Sequence, residues 1–236
     1  MRLHRFYTTE TIGSKTEVTI NSAEFTNQIR RVFRLKTGDS VILFDGSGFD
    51  YECSISDMGK EEVMLTVSNS VPSRCMPKKE IHLFAAIVKK DTFEWIVEKA
   101  TELGVTHIIP VMAERTEKKS LNMERLNKLV IEASEQSGRG SVPVISEIIE
   151  LEDSLKGIDS NATQTLVFHT EGEIFDAGLP CAQPRINVFI GPEGGWSPRE
   201  LEMFHSHKLP LKCLGNQVLR AETAVVATLS LVVFGK

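Results

Sequence analysis

Gly191-Pro192-Glu193-Gly194-Gly195-Trp196-Ser197-Pro198-Arg199-Glu200 decides the fold, because it joins the apolar run Ile186 to Ile190 to a strong helix start. Ser197 with Glu200 forms a capping box and Pro198 takes the first helical position, so a glycine-rich loop leads from a buried strand into a helix. In a parallel sheet such a junction lies at the strands' C-terminal edge, where unpaired backbone N–H groups can meet a ligand. A second junction is built alike. Leu214-Gly215-Asn216-Gln217-Val218-Leu219-Arg220-Ala221-Glu222-Thr223-Ala224 follows the short apolar run Leu211 to Leu214 and opens an apolar helix, Ala221 to Phe234. It carries Arg220 and Glu222 into the first turn, and polar groups at the mouth of a buried helix usually have assigned partners. Neither loop spells the dinucleotide or nucleoside-triphosphate fingerprint.

Working outward, the chain before these loops alternates strand and helix. Ile81 to Val88 is continuously apolar, as a strand buried on both faces would be, and Asp91 to Leu103 reads as a helix closed by Gly104. Val105 to Val111, a helix from about Leu121 to Gln136, and a strand at Thr165 to His169 continue the pattern of a covered parallel sheet. Phe93 and Trp95 are expected in the core, Glu94, Glu98 and Glu102 on a solvated stripe, and His205 and His207 at the surface. Two prolines and three basic residues within Val71 to Lys79 read as a linker, dividing residues 1–72 from residues 73–236.

The first part has a different grammar. Phe49, Tyr51, Cys53 and Ile55 alternate after the turn Asp45-Gly46-Ser47-Gly48, and Val41 to Phe44, Glu61 to Val67 and Thr16 to Ile20 supply further strands of a small β-barrel. One helix interrupts it from Asn21-Ser22, with Phe25, Ile29, Val32 and Phe33 expected on one face. Arg30, Arg31 and Arg34 fall opposite and, with Lys36, fit a stripe that contacts phosphates; Arg2 and Arg5 join them as candidates for RNA contact.

Composition bounds the rest. With 236 residues, 41% hydrophobic, 25% charged and a net charge of −5, the chain is an ordinary globular one, not disordered and not a uniformly basic nucleic-acid coat. No apolar stretch approaches the ~20 residues that span a bilayer and the start lacks a signal-peptide pattern, so a cytoplasmic protein without membrane contact is expected. Cys53, Cys75, Cys181 and Cys213 form no C-x-x-C pair, and neither a disulfide framework nor a metal site is expected. The helix Ala221 to Phe234, apolar nearly all round yet too short for a membrane, calls for a cover such as a subunit interface.

The stretches IGPEGGWSPRE (190–200) and LGNQVLRAETA (214–224) closely resemble the knot-forming loops of the SPOUT methyltransferases, specifically the RsmE family. KKDTFEWIVEKATELGVTHIIPVMAERT (89–116), EASEQSGRGSVP (132–143), RRVFRLKTGD (30–39) and LFDGSG (43–48) extend the likeness over most of the chain. The resemblance implies an α/β protein, with a PUA-like RNA-binding β-barrel in residues 1–72 and a SPOUT methyltransferase domain with a C-terminal trefoil knot in residues 73–236. It implies methylation of N3 of a uridine, uridine 1498, in 16S ribosomal RNA, within the small ribosomal subunit and by a homodimer. Family members often carry histidine where this chain has Asn27-Gln28, which weakens a role in RNA contact there.

The implied cofactor is S-adenosyl-L-methionine, held by His169, Thr170, Ile190, Gly191, Glu193, Gly194, Gly195, Leu214, Gly215, Val218, Leu219 and Thr223. Its apolar adenine and cationic sulfonium ask for backbone hydrogen bonds and apolar walls, not a basic phosphate cradle. Uridine N3 is mostly protonated at neutral pH, so methyl transfer requires removing that proton or stabilising charge on O2 and O4. Arg220, Arg115 and Arg139 are candidates for the second task, and Glu222 is a base or an orienting partner. Two other readings stand beside this one: an RNA-binding or ribosome-assembly module with an inactive knot, and a knot methyltransferase acting on another RNA position.

Overall fold

The structure, a computed structural model, describes residues 3–117, 120–159, 162–176 and 183–235. Arg2 and Cys181 lie outside the described residues. Contacts gather the chain into two compact units, Met1–Met76 with Ser134–Val142, and Pro77–Ala133 with Pro143–Lys236.

In the first unit, β1 (Arg5–Tyr7), β2 (Glu17–Asn21), α1 (Ala23–Asn27), β3 (Ser40–Phe44), β4 (Phe49–Met58) and β5 (Glu62–Pro72) follow in order. The five strands form a sheet in the order β1-β3-β4-β5-β2, antiparallel except for β1 beside β3. Every strand sends its alternate residues into one core: Phe6, Val18, Leu43, Tyr51, Ile55 and Leu65 are buried together, as a curled, barrel-like sheet requires. The Cys53 thiol sits in this core, and burial pushes its pKa up to about 11.

The helix after β2 departs from expectation. Ser22 caps it, its hydroxyl accepting the Phe25 N–H at 3.2 Å, and Phe25 and Ile29 are buried. After Asn27, however, the backbone widens into a π-helix over Gln28–Val32, with the Phe33 N–H donating to the Gln28 carbonyl at 3.0 Å. The wider turn keeps Phe33 against the core but throws Val32 outward, 69% exposed. A spacing argument at 3.6 residues per turn could not foresee that rotation.

The second unit runs β6 (Glu80–Ala86), α2 (Lys90–Glu102), β7 (His107–Met112), α3 (Met123–Ser137, whose last turn belongs to the first unit), β8 (Val144–Ile145), β9 (Ile149–Glu150), α4 (Leu151–Leu155), β10 (Thr163–Ile174), β11 (Arg185–Ile190), α5 (Pro198–Ser206), β12 (Leu211–Cys213) and α6 (Ala221–Phe234). The sheet order is β12-β10-β11-β6-β7-β8, with β9 also on β7, and every pairing is parallel. Its central strands are buried on both faces, which is why they read as unbroken apolar runs. Phe84 and Phe189 stack at 4.3 Å in a core shared with Trp196 and Phe204.

Helices α2 and α6 pack on each other. Phe93 is fully buried, but Trp95 is 41% exposed, so the expectation of a core tryptophan fails: position 95 falls on the outer face of an amphipathic helix. Glu94 pairs with Lys90 and Arg125, and Lys99 bridges Glu98 and Glu102, so the acidic stripe is an ion-pair lattice. In α6, Val225, Leu229 and Val232 are buried within the chain while Leu231 and Phe234 are exposed. Among the described residues no helix is long and apolar enough to cross a membrane.

A candidate cofactor cavity and a basic face

The two junctions meet at the C-terminal ends of β10, β11 and β12 and enclose a cavity of about 340 Å³, within the range of small-molecule sites. His169, Thr170, Ile190, Gly191, Glu193, Gly194, Gly195, Leu214, Gly215, Val218 and Leu219 line it, together with Arg115. Thr223, expected among them, is exposed on α6 and does not. Glu171, Lys212 and Gln217 line it without a distinct signal in the sequence.

The shape of this cavity comes from an irregularity in the sheet. β12 pairs with Val167 and Phe168 of β10, then resumes at Glu173 and Ile174, and residues 169–172 bulge between. That bulge presents His169 and Thr170 to the cavity. Gly172 makes it possible, since a Cβ there would stand 2.6 Å from the backbone of Lys212. Across the cavity, Gly195 turns the loop with φ +67°, its N–H donating to the Pro192 carbonyl at 2.8 Å, and Trp196 drops into the core with Nε1 donating to the Phe168 carbonyl at 3.2 Å. The tryptophan thus ties the glycine loop to the strand end opposite.

Glu200 does more than cap α5. It is 2% exposed; Oε2 accepts the Ser197 N–H at 2.7 Å, and Oε1 accepts the Glu114 N–H at 2.9 Å. The second bond holds the turn Ala113–Thr116, whose Arg115 donates from Nη1 to the Gly194 carbonyl at 2.5 Å. Sequence reading found the capping box and missed this crosslink, because the partner lies 86 residues away. Glu200→Ala strands two backbone donors and is expected to cost about 2–4 kcal/mol, read as a lower urea midpoint at unchanged slope.

The catalytic candidates separate. Arg115 lines the cavity, with its guanidinium engaged by the Gly194 carbonyl of the loop. Arg220 is the N-cap of α6, lies between the lining residues Leu219 and Ala221, and its exposed guanidinium has no partner among the described residues. Glu222 sits in the first turn of the same helix. Arg139 belongs to the first unit and is 4% exposed; burial lowers its pKa to about 10, and its Nε donates to the Ser141 carbonyl at 3.2 Å. Arg139 is not among the residues that line the cavity.

The basic set divides too. Arg5, expected to contact RNA, instead forks onto Asp50 at 2.6 and 2.9 Å, donates to the Arg139 carbonyl at 2.9 Å and covers the Phe44 ring. The pair is largely shielded from solvent, because the alternation that turns Phe6 into the core turns Arg5 to the opposite face, over Phe44. Arg30 donates to the carbonyls of Gly59 at 2.6 Å and Met58 at 3.2 Å. Arg31, Arg34 and Lys36 are exposed, and their side chains have no partner among the described residues.

A cavity of mixed polar and apolar lining at two strand-to-helix loops, in a chain whose β unit displays free arginines, fits the class of RNA-modifying methyltransferases. Accordingly, the family described as RNA methyltransferase domain matches residues 75–233, and the RNA methyltransferase PUA domain matches residues 29–68. The chain is 32% identical over 233 residues to the ribosomal RNA small subunit methyltransferase E of Rickettsia conorii, covering 98% of this chain and 95% of the relative. It is 30% identical to the protein of that name from Bacillus subtilis, covering 89% and 87%. The crystal structure of the Neisseria gonorrhoeae enzyme of the same name, bound to S-adenosyl methionine, superposes with a TM-score of 0.89 at 26% identity over 97% of this chain and 96% of that one. The chain belongs to the ribosomal RNA small subunit methyltransferase E family.

Proposed function

We propose that this chain transfers the methyl group of S-adenosylmethionine to N3 of a uridine in 16S ribosomal RNA, working as a homodimer in the cytoplasm and through a trefoil-knotted fold. The observation that carries the reading is the cavity at the two loops, with the unpartnered Arg220 between two of its lining residues. The residues present fit the cofactor. Phe168, Ile190, Trp196, Leu214 and Leu219 offer apolar walls for an adenine, Glu171 and Glu193 offer carboxylates to a cationic sulfonium, and glycine backbone takes the place of a phosphate cradle. The bound cofactor supplies an electrophilic methyl group.

The chain's own residues do the rest. Arg115 and Glu200 hold the glycine loop in place, and Arg220 donates to the uridine oxygen on which charge accumulates as N3 loses its proton, before the anion takes the methyl group. Glu222 orients Arg220 or receives the N3 proton. Exposed Leu231 and Phe234 on α6 support the homodimer, and the free Arg31, Arg34 and Lys36 support phosphate contact by the β domain.

Titration calorimetry on the purified chain is expected to show S-adenosylmethionine and its demethylated product binding once per chain without added metal. Mass spectrometry of 16S RNA from a strain lacking the chain is expected to lose one N3-methyluridine, restored on complementation. Heat from a nucleoside triphosphate and none from either cofactor form would overturn the assignment; normal cofactor binding with unchanged RNA would move the activity to another RNA position.

A further inference from the structure

We propose that Glu80, His82 and His107 form a binding site for one divalent first-row transition-metal ion of the zinc or cobalt kind, separate from the cofactor cavity. The three lie at the start of adjacent strands. β6 and β7 pair so that His82 stands directly beside His107, and Glu80, two residues before His82, shares its face of the sheet. The two imidazole rings are 4.0 Å apart, and one candidate ligand atom from each of the three residues lies within 4.8 Å of the others.

Distances and chemistry agree with such an ion. Glu80 Oε1 is 2.9 Å from His82 Nε2 and 3.9 Å from His107 Nδ1. Metal–ligand bonds of about 2.0–2.2 Å place tetrahedral ligands roughly 3.3 Å apart, so small side-chain rotations close the set. Two imidazoles and one carboxylate select zinc-like ions over magnesium or calcium, which prefer all-oxygen sites. An outer-shell partner is already in place, since Arg185 binds Glu80 Oε2 at 3.0 Å and leaves Oε1 toward the histidines; His107 Nδ1 lies 3.1 Å from Thr106 Oγ1, a contact that it exchanges for the ion. The side chains remain partly open to solvent, leaving room for water to complete the coordination.

The place of the site gives its role. Glu80, Arg185 and His107 begin β6, β11 and β7, whereas the cofactor cavity lies where β11 ends. An ion there joins the first residues of two neighbouring strands, so it stabilises the sheet without entering methyl transfer. Sequence reading passed over the site, because 25 residues separate the two histidines and only strand register brings them together.

Equilibrium dialysis of the full, metal-stripped chain against Co²⁺ tests this. One Co²⁺ per chain is expected, with visible bands of a nitrogen–oxygen set and a higher melting temperature. His82→Ala and His107→Ala are each expected to weaken binding by at least about 100-fold and to abolish the melting shift, with S-adenosylmethionine affinity unchanged. His205→Ala/His207→Ala should bind Co²⁺ as the wild type does. His107→Gln, closer in size to the native side chain, replaces any alanine variant that fails to fold. Undiminished binding in the His82 and His107 variants, intense thiolate charge-transfer bands from cysteine ligation, or no saturable uptake by the wild-type chain would each overturn the proposal.

Discussion

The Gly172→Ala chain is expected to lose about 3 kcal/mol or more of stability and at least about 100-fold in S-adenosylmethionine affinity. A Cβ at this position would stand 2.6 Å from Lys212 N and C and 2.7 Å from Leu211 C, all backbone atoms that cannot swing aside. β12 must then part from β10, and with it goes the bulge that presents His169 and Thr170 to the cavity. Gly157→Ala is the control: that glycine has φ +80° but nothing within 4 Å of its would-be Cβ, so it should cost only the ~1 kcal/mol of a left-handed alanine and leave cofactor binding intact. Urea unfolding and calorimetry on both variants read the two effects separately. Wild-type stability and affinity in Gly172→Ala would mean that β12 does not set the cavity's shape.

The loops were legible because glycine, proline and a capping box are local signals, and their chemistry does not depend on distant partners. Eleven of the twelve expected cofactor residues therefore line one cavity, and only Thr223, on the solvent side of α6 between the lining residues Ala221 and Ala224, turns away. What escaped reading depends on long-range register. Residues 169–172 bulge because β12 resumes pairing late, Glu200 reaches Glu114 across 86 residues, and His82 finds His107 only once β6 and β7 are aligned. Arg5 and Arg139 were read as functional by residue type. Their surroundings were invisible to spacing: Arg5 is committed to Asp50 and the Arg139 carbonyl, and Arg139 is buried with Nε on the Ser141 carbonyl. Val32 shows the converse failure, since the period was right for an α-helix and the backbone chose a π turn.

Two sets of basic residues are free to act, and they should fail differently when removed. Arg31→Ala/Arg34→Ala/Lys36→Ala is expected to weaken RNA binding and flatten its dependence on salt by up to about two to three units of slope, since each lost phosphate contact removes roughly 0.7–0.9. Arg30, committed to the Gly59 and Met58 carbonyls, should contribute less than any of the three. Arg220→Ala is expected to leave RNA affinity nearly intact and, because its side chain does not line the cavity, S-adenosylmethionine affinity as well. Its single-turnover methylation rate should fall by about 100-fold, the loss that follows removal of one donor to a developing oxyanion. The pH profile separates this role from a merely structural one. If the guanidinium stabilises charge on the uridine, the variant's rate should climb more steeply with pH than the wild type's, as hydroxide supplies the N3 anion that Arg220 no longer favours. Arg220→Lys should recover little, for an ammonium lacks the planar fork that can meet a base oxygen and Glu222 together. A normal single-turnover rate in Arg220→Ala, or a triple variant with an unchanged salt slope, would place the catalytic donor or the RNA-binding face elsewhere.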